Sequence, residues 1–100
     1  MTDRKEIEAL VEKELTEANE KYPLFHSPHE AYAVLKEEVE ELADEAEWMK
    51  GKLGCIWELV RQDADISDEA RYLHEFAVAA ACEAIQCAAM CEKLKQSNLY

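Results

Sequence analysis

Hydrophobic residues recur along this chain with the period of an α-helix in three long segments. The first segment carries them at Ile7, Leu10, Val11 and Leu15, with Glu and Lys between them. This spacing predicts a helix over about residues 3–21. Pro23 follows that segment and restricts the backbone before it, so we expect the first helix to stop there.

The second segment opens on the strongest helix-start signal of the chain, "SPHE". Ser27 can act as N-cap, Pro28 suits the first helical position, and Glu30 lies three residues after the cap. The apolar pattern then predicts one long helix over about residues 28–62. Gly51 and Gly54 weaken its last third, where the sequence allows a kink.

The third segment follows the polar connection "DADISDEA", in which either Asp65 or Ser67 can cap a helix over about residues 68–96. From residue 76 to residue 91 only Glu83 and Gln86 are strongly polar. A helix that is apolar on every side is buried all round, inside a bundle or at a subunit interface.

These segments predict a single all-α domain, residues 1–100, built of three main helices. The chain has only two glycines and two prolines, which fits a helical and folded protein. A chain this short buries a thin core by itself. We therefore expect assembly at least as a dimer, a homodimer or homotetramer, into a four-helix-type bundle.

The net charge of −12 limits the classes of partner that the protein can bind. Such a surface repels the phosphate backbone, so ordinary nucleic-acid binding is not expected, although an acidic protein can mimic DNA. The charged start "MTDRKEIEAL" and the lack of a long apolar run predict a soluble, cytoplasmic protein without membrane association. Cations are the natural partners of an acidic cleft.

Carboxylates on the second and third helices are the candidate chemistry. Glu38 and Glu41 are three residues apart and share a helix face, as do Glu83 and Gln86. An isolated buried carboxylate must be paired, protonated or bound to a metal. If the two helices pack antiparallel, the two pairs face each other, and oxygen ligands at this density favour Mg²⁺ or Mn²⁺.

Plainer interpretations exist for each of these residues. Glu37, Glu38 and Glu41 can form a solvated face. Glu83 can pair with Arg61, with Arg71 or with a lysine of another subunit. Gln86 can serve as an interhelical hydrogen-bonding residue.

Among other polar residues, His26 and His29 fit helix capping and loop packing better than metal binding. Cys87 and Cys91, four residues apart, fit core packing, and no cysteine spacing suggests a disulfide framework.

The segment "FHSPHEAYAVLKEEVEEL", with its EExxE motif, resembles the MazG-like all-α nucleoside triphosphate pyrophosphohydrolases. In that family a second motif, ExxD, follows on the next long helix, and this chain has "EAIQ" there. The resemblance covers about residues 25–93 and is closest in kind to the small single-domain forms of phages and Gram-positive bacteria.

The resemblance implies a Mg²⁺-dependent enzyme that hydrolyses a nucleoside triphosphate to the monophosphate and pyrophosphate. Glu38 and Glu41 would be catalytic metal ligands, with Glu37 as a ligand or as a residue that orients one. Glu83 would match the Glu of the second motif and Gln86 its Asp. A neutral amide is a weaker Mg²⁺ ligand than a carboxylate, and the interval between the motifs is long. The alternative is a non-enzymatic acidic helical interaction protein.

The sequence does not single out a residue for the triphosphate itself. Six basic residues are candidates on the segment of resemblance: Lys36, Lys50, Lys52, Arg61, Arg71 and Lys93. A partner subunit can also supply one.

Overall fold

A computed structural model describes residues 1–99, which form three α-helices and, within that range, no strand. Helix α1 spans Arg4–Lys21, α2 spans Pro28–Arg61 and α3 spans Ser67–Ser97. The prediction of an all-α chain with three helices is confirmed. Helix α2 runs through both of its glycines without interruption.

Side-chain caps fix where the first two helices begin. The Asp3 carboxylate accepts a hydrogen bond from the Lys5 backbone N–H at 2.9 Å. The Ser27 hydroxyl accepts one from the Glu30 N–H at 3.1 Å. Each satisfies a backbone N–H that the first turn of a helix leaves without an internal partner.

The N-cap of helix α3 is neither Asp65 nor Ser67, the two residues that the sequence suggested. Its N-cap is Ile66, which offers no side-chain hydrogen bond to the helix. Asp65, one residue earlier, accepts from the Ser67 N–H at 3.0 Å and from the Ser67 hydroxyl at 2.6 Å. These two hydrogen bonds also lower the pKa of Asp65.

Helices α2 and α3 form an antiparallel hairpin. Along it, Lys52 pairs with Glu69, Trp48 packs on Phe76 with ring centroids 5.8 Å apart, and Glu38 lies near Glu83. The partners advance in opposite directions along the two helices, as in an α-hairpin with a short connection. This arrangement brings the middle of α3 against the first half of α2.

Helix α1 packs on α3 and makes no comparable contact with α2. The buried apolar side chains lie where α1 and the first turns of α2 meet the second half of α3. They are Leu15, Phe25, Ala31 and Ala89. The small side chains of the two alanines allow the helices to approach closely there. The buried core thus lies at one end of the molecule.

The rest of the hairpin keeps large apolar side chains exposed. Trp48, Leu53, Trp57 and Val78 are each about half exposed or more. Within the single chain, α3 is therefore not buried all round, since Ala81 and Cys82 are exposed too. The expected burial of the thiols is likewise not found: all four cysteines are free, and only Cys87 is half-buried. The reason is that one chain covers only one side of α3.

None of the helices formed by residues 1–99 combines enough length with enough apolar character to cross a membrane.

Candidate metal centre

Three glutamates from two helices converge at the middle of the hairpin. Glu38 and Glu41 come from α2 and Glu83 from α3, and each offers a carboxylate oxygen within 4.8 Å of the others. The i, i+3 spacing puts the first two on one face of α2, and the antiparallel packing sets Glu83 opposite them. The sequence predicted this arrangement from the spacing and the expected antiparallel pairing.

Two of these carboxylates are partly withdrawn from water without gaining a partner. Glu38 and Glu83 are half-buried, and one oxygen of each is buried with no hydrogen-bond donor among the described residues. Glu41 is exposed. Buried charged oxygens that lack a donor are costly. They are the kind of group that a cation would satisfy.

The crowding of like charges is visible in the acid–base properties. Burial raises the pKa of Glu38 above its usual value, and the neighbouring Glu41 and Glu83 carboxylates raise it further. The pKa of Glu41 is also raised, first because its carboxyl can share a proton in a hydrogen bond with Glu83. Without a cation, the cluster therefore favours holding a proton.

The structural ion pairs suggested for Glu83 do not form within residues 1–99. Arg61 pairs with Glu58 at 3.3 Å, and Arg71 pairs with Asp68 at 3.5 Å. Both arginines thus pair with acidic groups of their own helix and do not neutralise the cluster.

The other two predicted ligands lie at the margin of this group. Glu37 is exposed and is not one of the three converging carboxylates, although its charge contributes to the raised pKa of Glu38. Gln86 is half-buried, one turn after Glu83, and lines the same cavity as Glu38. The position of Gln86 on the cavity wall is consistent with a neutral oxygen ligand as well as with a structural amide.

The cavity has a volume of about 760 Å³ and lies between the core end of α1, the start of α2 and the second half of α3. Glu38 and Gln86 line it on the side of the cluster, and Phe25 and Lys93 line it elsewhere. Its volume falls within the range of small-molecule sites, about 300–1,000 Å³. A ligand held at the carboxylates would thus have room to extend into it.

Lys93 is the functional candidate that the sequence did not distinguish. Only 4% of its surface is exposed, and its ammonium lies 5.0 Å from the centre of the Phe25 ring. One stripe along α3 consists of residues spaced three or four apart, namely Glu83, Gln86, Met90 and Lys93. That stripe was readable as one helix face, but the burial of Lys93 depends on the distant loop that carries Phe25.

The donor set suits a hard divalent cation. Three carboxylates with unsatisfied oxygens match the oxygen ligands that Mg²⁺ and Mn²⁺ take, and no nitrogen or sulfur ligand belongs to the group within residues 1–99.

Comparison of this chain with models of protein families, with curated proteins and with solved structures finds no match in any of the three.

Proposed function

We propose that this protein is a Mg²⁺- or Mn²⁺-dependent nucleoside triphosphate pyrophosphohydrolase of the MazG type. The convergence of Glu38, Glu41 and Glu83 beside an open cavity, with two buried oxygens that lack donors, carries the proposal. The EExxE pattern on α2 also supports it, since two residues of the motif, Glu38 and Glu41, belong to the cluster. A cytoplasmic location follows from the substrate class.

In this function Glu38 and Glu83 hold the cation through their half-buried carboxylates, while the exposed Glu41 completes the site on its open side. When bound, such an ion polarises a phosphoryl oxygen and lowers the pKa of a coordinated water. Through the cation that they hold, the three carboxylates also attract the triphosphate, in a cleft whose lining carries both glutamates and the lysines Lys21 and Lys93. Gln86 contributes a neutral oxygen and leaves the site less negative than an aspartate would.

The same proposal includes a homodimer or homotetramer. The single chain has an accessible surface of 7428 Å², whereas a folded monomer of its mass exposes about 5,800 Å². Its radius of gyration is 17.4 Å, against about 13 Å for a compact domain of this length. Association of the exposed faces of the hairpin into a four-helix-type bundle would remove this excess.

A second candidate is a non-enzymatic acidic protein that uses its helices to bind a partner. The exposed aromatic residues Trp48 and Trp57 favour it, since aromatic side chains are enriched at protein interfaces. It differs from the first proposal in requiring neither a cation nor hydrolysis.

The deciding experiment is a panel of ribo- and deoxyribonucleoside triphosphates with Mn²⁺, in which released pyrophosphate is measured. We expect pyrophosphate from at least one nucleotide. We also expect Mn²⁺ at about 100 times its dissociation constant to stabilise the protein by about 2.7 kcal/mol, which a thermal melt detects.

Glu83→Gln should abolish both effects, because it removes one charge and leaves a shape-matched amide. Glu75→Gln is the matched control: it makes the same change on an exposed position of the same helix and should alter neither. An unchanged melting temperature with Mn²⁺, together with no pyrophosphate from any nucleotide, would favour the interaction protein.

A further inference from the structure

Both long helices carry apolar residues at a heptad spacing, in steps that alternate between three and four residues. On α2 this pattern runs without interruption from Tyr32 to Val60, and on α3 it runs from Ala70 to Leu94. Such spacing, sustained over roughly three to four heptads, is typical of helices that pack side by side along their length. Each helix therefore carries two parallel apolar rows, in which the residues are seven positions apart.

One row of each helix forms the contact between α2 and α3. The inner row of α2 consists of every seventh residue from Leu35 to Ile56, and all of its members are half-buried. The inner row of α3 consists of every seventh residue from Leu73 to Leu94, and its members are half-buried as well. The hairpin thus uses half of the heptad pattern within the single chain.

The other row of each helix remains uncovered. The outer row of α2, every seventh residue from Tyr32 to Val60, is exposed at all its positions. The outer row of α3, every seventh residue from Ala70 to Cys91, is exposed except at the half-buried Ala77. Because the helices are antiparallel and both right-handed, the same offset from the contact line places both outer rows on one side of the hairpin. These two outer rows are called the free face below.

The free face is apolar and complementary to itself in size. Neither outer row contains a charged residue, although charged residues make up 34% of the chain. The α2 row carries large side chains such as Tyr32 and Leu53, whereas the α3 row consists of alanines and Cys91. Large side chains of one hairpin can therefore pack over the small row of another. Such a surface fits an isologous contact, in which two identical copies use the same patch.

The area to be covered agrees with a second copy as the partner. The single chain exposes 7428 Å², which is about 1,600 Å² more than a folded monomer of its mass. If each of two copies covered this excess, the interface would bury about 3,200 Å² in total. That area lies within the range of obligate homodimers, about 2,000–5,000 Å².

The free face does not include the open side of the metal centre. Val39 and Glu41 are two residues apart, which places them about 160° apart around α2. A second copy can therefore cover Val39 while the exposed carboxylate of Glu41 stays accessible.

We propose that the free face packs against the same face of a second copy, so that two hairpins form a four-helix bundle with Glu41 outside the seam. The inference rests on the dimer included in the proposed function and specifies its interface. It does not depend on the cation, so its test is carried out in EDTA.

The first measurement is sedimentation equilibrium of wild type, Val39→Glu and Val78→Glu. Val39→Glu should raise the dissociation constant of the dimer by about 100-fold or more, because it buries an unpaired charge in the interface. Val78→Glu is the matched control and should leave that constant unchanged. Val78 is 49% exposed and Val39 52%, but Val78 lies outside both rows of α3.

The second measurement is the rate at which iodoacetamide alkylates individual cysteines, followed by mass spectrometry. Cys91 belongs to the free face and Cys82 does not, and both are exposed in the single chain. Since reaction requires access to the thiol, Cys91 should react about tenfold more slowly or less in the dimer than in dissociated protein. Cys82 should react at the same rate in both. Dilution of wild type and Val39→Glu each supply the dissociated protein.

The outcomes separate the interface from the dimer itself. If wild type is a dimer, the free face is refuted when Val39→Glu and Val78→Glu have equal effects, or when Cys91 is not protected. The dimer of the proposed function then stands. A wild type that is a monomer at tens of micromolar refutes both, while Mn²⁺ binding still tests the metal centre. If circular dichroism shows that Val39→Glu does not fold, the alkylation of wild type above and below its dissociation constant decides.

Discussion

One oxygen of Glu38 and one of Glu83 are removed from water and receive no hydrogen bond from the described residues. A protein that only needed a hairpin contact there would gain by placing apolar side chains at both positions. The two carboxylates therefore cost stability in the absence of a ligand, and a bound cation or proton reduces that cost.

This cost predicts how stability depends on pH without a divalent cation. The folded-state pKa of Glu38 lies above its usual value of 4.5, so the folded protein keeps a proton that the unfolded chain has released. The stability this group contributes is fully present below pH 4.5 and is lost as pH rises through the raised pKa. Glu38→Gln, which cannot ionise, should lack this loss.

The measurement is urea unfolding of wild type and Glu38→Gln from pH 4.5 to pH 7.5 in the presence of EDTA. The variant should gain stability relative to wild type as pH rises. If the free energies of unfolding of the two proteins change in parallel with pH over this range, the pKa of Glu38 is not raised. Adding Mn²⁺ at pH 7.5 should make wild type more stable than Glu38→Gln, because only wild type keeps all three carboxylates.

Gln86 stands where the ExxD motif of the proposed MazG type would have an aspartate. Gln86→Asp should tighten Mn²⁺ binding by about tenfold or more, because a carboxylate is a stronger ligand than an amide. It should also destabilise the cation-free protein by adding a fourth negative charge. Gln96→Asp, the same substitution on an exposed position of α3, is the control for both effects. If Mn²⁺ affinity is unchanged, Gln86 does not face the cation.

At the residue scale, helical spacing together with the expected antiparallel packing predicted that Glu38, Glu41 and Glu83 meet, whereas the predicted ligand Glu37 lies outside the group. Glu38, Glu41 and Glu83 could be derived because helical periodicity and antiparallel packing are local or nearly local rules. The burial of Lys93 could not be derived in this way. Its burial depends on Phe25, which is far away in sequence and is fixed by a hydrogen bond to Ser97.

At the scale of the helices, the sequence predicted the start of a helix correctly where the capping side chain belongs to the N-cap residue itself. Ser27 caps α2 as its sequence indicated. At α3 the sequence allowed Asp65 or Ser67, and both take part through a hydrogen-bonded turn just ahead of the helix. Neither is the formal N-cap, because Ile66 lies between them.

The packing of whole helices was less predictable than their ends. The short connection between α2 and α3 favours an antiparallel pair, which the contacts from Lys52–Glu69 to Glu38–Glu83 confirm. No pattern in the sequence indicated that α1 would pack on α3 alone. That placement leaves space between α1 and α2, and the cavity beside the cluster is a consequence of it.

At the scale of the whole molecule, a single chain is elongated, with extents of 56 × 28 × 21 Å, and its buried apolar side chains lie at one end. Helix α2, at 34 residues, extends far beyond the part of the hairpin that α1 covers. The sequence predicted a partner copy from the thin core of a short chain. It could not indicate which faces remain exposed, since that follows from where α1 lies.

For the proposed dimer, the exposed apolar end of the hairpin predicts the interface between the two copies. Trp57 is 60% exposed and lies near Leu53 and Val60 on α2, far from the cluster. Sedimentation equilibrium should give at least twice the 11.5 kDa of the chain. Trp57→Glu should weaken association by about 2 kcal/mol or more, because it removes a large aromatic contact and buries a charge. Leu10→Glu, at an exposed apolar position of α1, should leave the mass unchanged. A wild-type protein that sediments as a monomer at tens of micromolar would contradict the assembly, and equal dissociation by both variants would place the interface elsewhere.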